Sequence, residues 1–286
     1  MTMKSSFLKV QSKDEAVVRI EPAEGWASVD LHELWQHREL LLYLVGRDLR
    51  ALYANTGLGV LWTILQPLAT AIVITIVLGI FARIPTGNIP YGLVAFSGLV
   101  VWSYFATAVK GGCESMVANA NLMTKVYFPR LIIPAVPILA GLVDLAVLIL
   151  VLLGAMLFYG RMPQLSWLII PIPVILTLAL ALGASLWLSA LNVKYRDVGR
   201  LVPLILQIGL YASPIVYPYN IIPEFWRSVY ALNPVVGVVN SMRWALFREA
   251  GFPFSELLIS AFVAAVLIVS GAVVFQRIER LMADIV

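Results

Sequence analysis

The stretch Leu131–Tyr159, LIIPAVPILAGLVDLAVLILVLLGAMLFY, carries a single charged side chain, Asp144. A helix needs about 20 apolar residues to cross the hydrocarbon core of a bilayer, and this run exceeds that length. Its apolar residues are consecutive rather than placed at every second position, which excludes the strand of a membrane β-barrel. The whole chain of 286 residues shares this character, with 61% hydrophobic and 13% charged residues. Soluble domains run at about half apolar and about a quarter charged, so a water-soluble fold has too little polar surface to cover this chain. The expected fold class is an all-α membrane protein.

Five further apolar runs, Leu58–Ala82, Tyr91–Ala108, Trp167–Ala190, Leu201–Tyr217 and Leu257–Phe275, bring the expected transmembrane helices to six, within a single domain spanning 31–286. Orientation follows from Lys and Arg near the span ends, because cytoplasmic loops are enriched in both. One face gathers Arg47, Arg50, Lys110, Lys125, Arg130, Lys194, Arg196, Arg200, Arg277 and Arg280; the other has Arg83, Arg161, Arg227, Arg243 and Arg248. This ten-to-five split places both termini in the cytoplasm. The net charge of +4 thus reflects membrane orientation, and no nucleic-acid partner is expected.

Immediately before the opening stretch lies Glu114–Arg130, ESMVANANLMTKVYFPR, too polar to span and patterned rather than passive. With Asn119, Asn121 and Lys125 set among Leu122, Met123, Tyr127 and Phe128, it offers a docking surface outside the membrane. A second interrupted segment, Tyr219–Arg248, is broken by Pro223, Asn233 and Pro234 but rich in Phe225, Trp226, Tyr230, Trp244 and Phe247. Two short helices dipping into the outer interface and broken at Asn233-Pro234 fit both facts, since Pro ends helices and Trp and Tyr favour the headgroup level. Re-entrant backbone of this kind is tolerated only where protein covers it or it lines a cavity.

Residues 1–30 lack the apolar core of about 7 residues that marks a secretory signal, and they read as a cytoplasmic tail. From Leu31 the apolar residues Leu34, Trp35, Leu41, Leu42, Val45, Leu49 and Leu52 recur mostly at steps of three and four, which predicts an amphipathic helix on the inner membrane surface. Asp30 with Glu33 resembles a capping box at its start.

Catalytic motifs are missing. The chain contains no Gly-Lys dipeptide, hence no phosphate-cradling P-loop, and no G-x-S-x-G elbow. His32 and His37 stand about 140° apart on a helix and do not converge on a metal. The single Cys113 excludes an internal disulfide. The chain is therefore not expected to be an enzyme by itself, nor to bind a metal or cofactor. Asp144 is different: a carboxylate inside a span costs about 2.5 kcal/mol or more on insertion scales, so it is either hydrogen-bonded to a neighbouring helix or part of a proton pathway. A proton-coupled carrier using Asp144 remains open as an alternative.

NANLMTKVYFPR followed by Pro134, NVKYRDVGR at 192–200, Ser213-Pro214-Ile215 with Tyr217, and Asn233-Pro234 together resemble the permease subunits of ABC exporters for bacterial polysaccharides, the O-antigen, capsule and teichoic-acid exporters. The resemblance runs from about Leu31 to the C-terminus and rests on the ordered set of motifs. It implies a six-span subunit of the bacterial inner membrane that forms a homodimer, recruits a separate cytoplasmic ABC ATPase which binds ATP and Mg, and moves lipid-linked polysaccharide. An exporter of a small glycolipid or drug would share this architecture. In such exporters the cytoplasmic helix between spans two and three rests in a cleft of the ATPase. Glu114, Asn119, Asn121, Leu122, Lys125, Tyr127, Phe128, Pro129 and Arg130 match that position, and Tyr195, Arg196 and Asp197 form the second cytoplasmic loop, where Arg196 and Asp197 either pair with different helices or lie in a solvated turn. A sugar polymer presents hydroxyls and flat C–H faces, which aromatic rings with polar tips let slide; Trp62, Trp102, Tyr104, Phe105, Tyr211, Tyr217 and Tyr219 are the candidates for the channel.

Overall fold

A computed structural model describes residues 31–54, 57, 59–125, 128–248 and 251–283. The expected tail at 1–30, Asp30 of the expected cap, and Tyr127 lie outside the described residues. Among the described residues every regular element is a helix. Its helices are α1 (Leu31–Gln36), α2 (Arg38–Tyr53), α3 (Leu61–Ile74), which widens into a π-helical segment at Thr75–Phe81, α4 (Tyr91–Ala118), α5 (Ala120–Met123), α6 (Ile132–Phe158), α7 (Pro171–Lys194, entered through a 3-10 turn at Leu165–Ile169), α8 (Val198–Ala212), α9 (Glu224–Ala231), α10 (Pro234–Phe247) and α11 (Phe254–Ala283). Five of the described helical segments are long and apolar enough to cross a membrane: Leu61–Phe81, Tyr91–Ala118, Ile132–Phe158, Leu165–Lys194 and Phe254–Glu279.

The fifth expected span is shorter than the sequence suggests. α8 has 15 residues and ends at Ala212, a length of about 22 Å against a hydrocarbon core of about 30 Å. The reason is Pro214: the residue before a proline is pushed out of the helical region, and Ser213 adopts φ −111° and ψ 153°. The turn that follows is deeply buried, with Ser213, Ile215 and Val216 almost without exposure. Its carbonyls have lost their helical donors, and side chains replace them. Arg243 of α10 donates to the carbonyls of Pro214 (2.8 Å), Ile215 (2.6 Å) and Tyr217 (3.1 Å), and the Tyr91 hydroxyl donates to the carbonyl of Val216 at 2.5 Å.

The two short helices expected in the interrupted segment are present, and they break at Asn233-Pro234. The Asn233 side chain caps α10 by accepting from the Val235 amide at 3.0 Å, and its amide donates to the Ser213 hydroxyl at 2.8 Å. Pro234 follows at the first helical position, where its missing N–H has no cost.

α4 is the central helix, packed between α6 and α7, while α11 closes on the far side of α7. With no hydrophobic drive between helices in lipid, close approach through small residues carries the association. A Cβ on Gly112 would lie 2.2 Å from the Ser185 hydroxyl across the α4–α7 seam, and one on Gly183 would lie 2.7 Å from Leu267 Cβ across the α7–α11 seam. The expected amphipathic helix is realised as α1 and α2, but its apolar stripe divides. Leu34, Leu41 and Val45 pack inward around the buried Leu44, whereas Trp35, Leu42 and Leu52 face outward.

Gly183→Ala should lower the thermal midpoint of the detergent-solubilised protein by several degrees, since overpacking a filled seam costs about 1–3 kcal/mol. Gly154→Ala, whose new methyl meets nothing within 4 Å, should leave the midpoint unchanged or raise it. Equal midpoints for the two variants would contradict the packing described for the α7–α11 seam.

Candidate functional site

α4 has 28 residues, a length of about 42 Å, so it overshoots a hydrocarbon core of about 30 Å. Its last turns carry Lys110 and Glu114 and end at Asn119, where φ −104° and ψ 18° break the helix before the one-turn α5. The expected docking residues divide between two sides of this element. Glu114, Asn121 and Lys125 are exposed, with Leu122 partly so. Phe128 is buried, and Asn119, Pro129 and Arg130 are partly so.

That inner side is fastened at three points. Phe128 is buried among Leu44, Met116, Ile132, Ile133 and Phe275, which joins the segment to α2, α4, α6 and α11. The Asn119 carboxamide oxygen accepts from Arg47 of α2 at 2.9 Å, while its amide donates to the Ser115 carbonyl at 2.9 Å. Arg130 lies 3.6 Å from the Glu279 carboxylate near the end of α11. The result is a short polar face presented outward on a base held by four helices. Arg47 and Glu279 escaped notice as site residues in the sequence because their partners lie 72 and 149 positions away.

The second loop, between α7 and α8, sits at the same end of the bundle. Asn192 ties it there, donating to the Cys113 carbonyl of α4 at 3.1 Å and accepting from the Gly199 amide at 2.8 Å. Tyr195, Arg196 and Asp197 are all exposed. The expected pairing of Arg196 and Asp197 with different helices is not what the fold provides. Asp197 pairs instead with Arg200 at 3.8 Å, one turn along its own helix and fully in solvent, because the loop is too short to carry either side chain to a neighbouring helix. An exposed pair of this kind contributes little to stability.

Three of the expected channel aromatics converge. Trp62, Trp102 and Tyr104 line a groove of about 420 Å³ between α3, α4 and α6. Phe105 stacks on Trp102 at 5.5 Å between ring centroids without entering the groove. Tyr211 projects outward from α8 with 62% exposure, and Tyr217 sits in the turn after it, bonded to Tyr230 at 3.3 Å. Tyr219 lines a separate cavity at the far end, where burial raises its phenol above the ordinary pKa, Glu256 adds to the shift and Arg227 opposes it. Between the groove's rings stand hydroxyls and an amide that sequence reasoning passed over: Thr63, Gln66, Thr70, Ser103 and Thr107. Single polar residues in apolar runs carry little signal one at a time; the convergence of three helices makes them a lining.

Asp144 lies at the base of this groove. It accepts from the Tyr53 hydroxyl at the end of α2 and from the Thr63 hydroxyl of α3 at 2.8 Å. The carboxylate therefore joins α2, α3 and α6. Among the described residues lining the groove it is the one acid, and no histidine accompanies it.

The sequence profile of the family described as "ABC-2 type transporter" matches residues 39–247. An O-antigen export system permease protein of Myxococcus xanthus is 32% identical over 249 residues, covering 86% of this chain and 95% of that protein. A protein of the same description from Klebsiella pneumoniae is 29% identical over 248 residues, with the same coverage of both chains. A polysialic acid transport protein of Escherichia coli is 26% identical over 208 residues, covering 72% of this chain and 79% of that protein.

Because both donors point at one oxygen of Asp144, Asp144→Asn should keep them and retain close to the normal amount of folded protein. Asp144→Leu removes the acceptor that the Tyr53 and Thr63 hydroxyls share and should lower it, as interhelical hydrogen bonds in membranes contribute about 0.6–2 kcal/mol. Monodisperse yield after size-exclusion chromatography is the measurement.

Proposed function

Because the chain belongs to the ABC-2 type transporter family, we propose that it is the membrane subunit of an ATP-driven exporter moving lipid-linked polysaccharide of the O-antigen kind across the inner membrane. It is a multi-pass permease subunit that works with a separate ABC ATPase on a polysaccharide substrate. The carbohydrate class comes from relatives whose names specify O-antigen export and polysialic acid transport. ATP and Mg are assigned to the ATPase, and both termini, with the α4–α5 end of the bundle, are assigned to the cytoplasm.

The observation that carries this reading is the two-sidedness of the 114–130 segment. A lever must offer one face to the driver and transmit displacement through the other. Glu114, Asn121 and Lys125 form the offered face, and the Phe128 cluster with the Arg47–Asn119 bond forms the transmitting one. A downward or sideways push on α5 therefore reaches α2, α4, α6 and α11 together. The groove above supplies what a sliding glycan requires: rings for C–H faces, and hydroxyls that exchange hydrogen bonds without fixing one register.

Two copies are proposed to form the working permease. α3 and α8 leave outward faces rich in large apolar and aromatic side chains, Trp62, Ile72, Val73, Ile205, Ile208 and Tyr211 each more than half exposed. These faces flank the groove, so a second copy placed against them would complete its wall.

Lys125→Glu combined with Glu114→Ala should abolish co-purification of the ATPase and glycan export while membrane insertion stays normal, because these residues lie outside the apolar spans that govern insertion. Unchanged co-purification and export would remove the segment from the coupling path. In inverted vesicles carrying the complex, ATP-dependent export should persist when an uncoupler collapses the proton gradient, and should persist in Asp144→Asn. Loss of export in both cases would replace the ATP-driven reading with proton coupling through Asp144.

A further inference from the structure

A second cavity, about 570 Å³, lies at the end of the bundle opposite α5. α10 forms its floor, and the 86–89 connection, the Pro218–Tyr219 turn and the start of α11 form its walls. α10 presents Asn240, Arg243, Trp244 and Phe247 to it, at steps of three and four that share one helical face.

Both guanidiniums at this cavity are already engaged. Arg243 is spent on the carbonyls of the buried turn and on Val94 O at 3.2 Å. Arg227 donates to the Ile222 carbonyl at 3.0 Å and lies 3.6 Å from the Glu224 carboxylate. Among the described residues the lining holds no further Lys or Arg, although Arg248 beside it stacks over the Trp244 ring at 5.6 Å; it does include the carboxylate of Glu256, which accepts from Ser255 at 2.9 Å. A phosphate or diphosphate bound against the lining would meet this negative charge, with both lining guanidiniums already engaged.

A neutral polyhydroxyl ligand meets matching chemistry instead. The half-buried Asn240 carboxamide has no hydrogen-bond partner among the described residues, and it offers both donors and acceptors. Glu256 can accept from hydroxyls. Trp244 and Phe252, edge to face at 4.9 Å between centroids, supply ring surface for C–H faces.

We propose that this cavity binds one sugar residue of the transported polysaccharide on the exit side, with its hydroxyls on Asn240 and Glu256 and its C–H face against Trp244 and Phe252. The proposal rests on the exporter reading and adds a second carbohydrate site, remote from the α3–α4–α6 groove and on the far side of the bundle from the ATPase. A modest affinity suits it: the site holds the emerging chain against backsliding without stopping its passage.

The test uses the full permease–ATPase complex in nanodiscs and, as probe, delipidated oligosaccharide released by mild acid from the exporting cell's own surface polysaccharide. Saturation-transfer difference NMR should give signals on sugar ring protons. Asn240→Ala and Glu256→Gln should each weaken binding about tenfold, with thermal midpoints unchanged, and inorganic pyrophosphate should not compete. Retained binding in both variants, binding lost only in Trp62→Ala of the groove, or displacement by pyrophosphate would each overturn the proposal. ATP-driven export is measured on the same wild-type preparation. Export without oligosaccharide binding at the cavity sinks the site and leaves the exporter standing, whereas absence of glycan export sinks the reading on which the site depends.

Discussion

Backbone polar groups inside the bundle have no water to bond, and the structure turns on how each interruption of a helix is repaired. The decisive case is the turn at Ser213–Tyr217, where Pro214 ends α8 within the protein and exposes a row of carbonyls. Arg243 and Tyr91 reach across to them from α10 and α4. Irregular backbone at such depth is tolerated only when protein covers it, and here the cover comes from a cation that uses its fork of donors on carbonyls rather than on an acid. Breaking that set would leave several buried acceptors unpaired at once, each at a cost of about 1–3 kcal/mol. The short α8, the returning α9 and α10, and the cavity on the face of α10 all follow from that repair.

The two ends of the bundle are built differently for related reasons. At the α5 end the contacts are mixed: an apolar cluster around Phe128 gives stiffness, and the Arg47–Asn119 and Arg130–Glu279 contacts give direction. Stiffness matters for the lever proposed above, because one that bends dissipates displacement. At the opposite end, Arg161 donates to the Asn88 carbonyl at 2.6 Å and Arg243 reaches Val94, so the loops between helices are cross-braced by guanidiniums bonded to backbone. Between the ends, Asp144 links α2 to α3 and α6 beside the groove.

Much of this was legible in the amino-acid order. Long consecutive apolar runs dictate helices because lipid leaves the backbone no other way to satisfy itself. The break at Asn233-Pro234, the polar segment between the second and third spans, and the isolation of Asp144 were all readable, since each is a local contrast between neighbouring residues. The convergence of Trp62, Trp102 and Tyr104 was anticipated only as a set of candidates, and Phe105, Tyr211, Tyr217 and Tyr219 do not join them in the groove. Rings look alike in sequence whichever way their helix is turned.

The sequence by itself determined the membrane class, the helical content, the family and the position of the polar 114–130 segment, because these depend on composition and on residues within a few turns of one another. Only the tertiary structure decided which residues of the 114–130 segment are exposed, that Asn192 and Glu279 are fasteners, and that Tyr53 and Thr63 satisfy Asp144. Each of those outcomes depends on the rotation of one helix against another. That rotation is set by close contacts such as Gly183 against Leu267, between residues far apart in the chain, and no periodicity within a single helix encodes it.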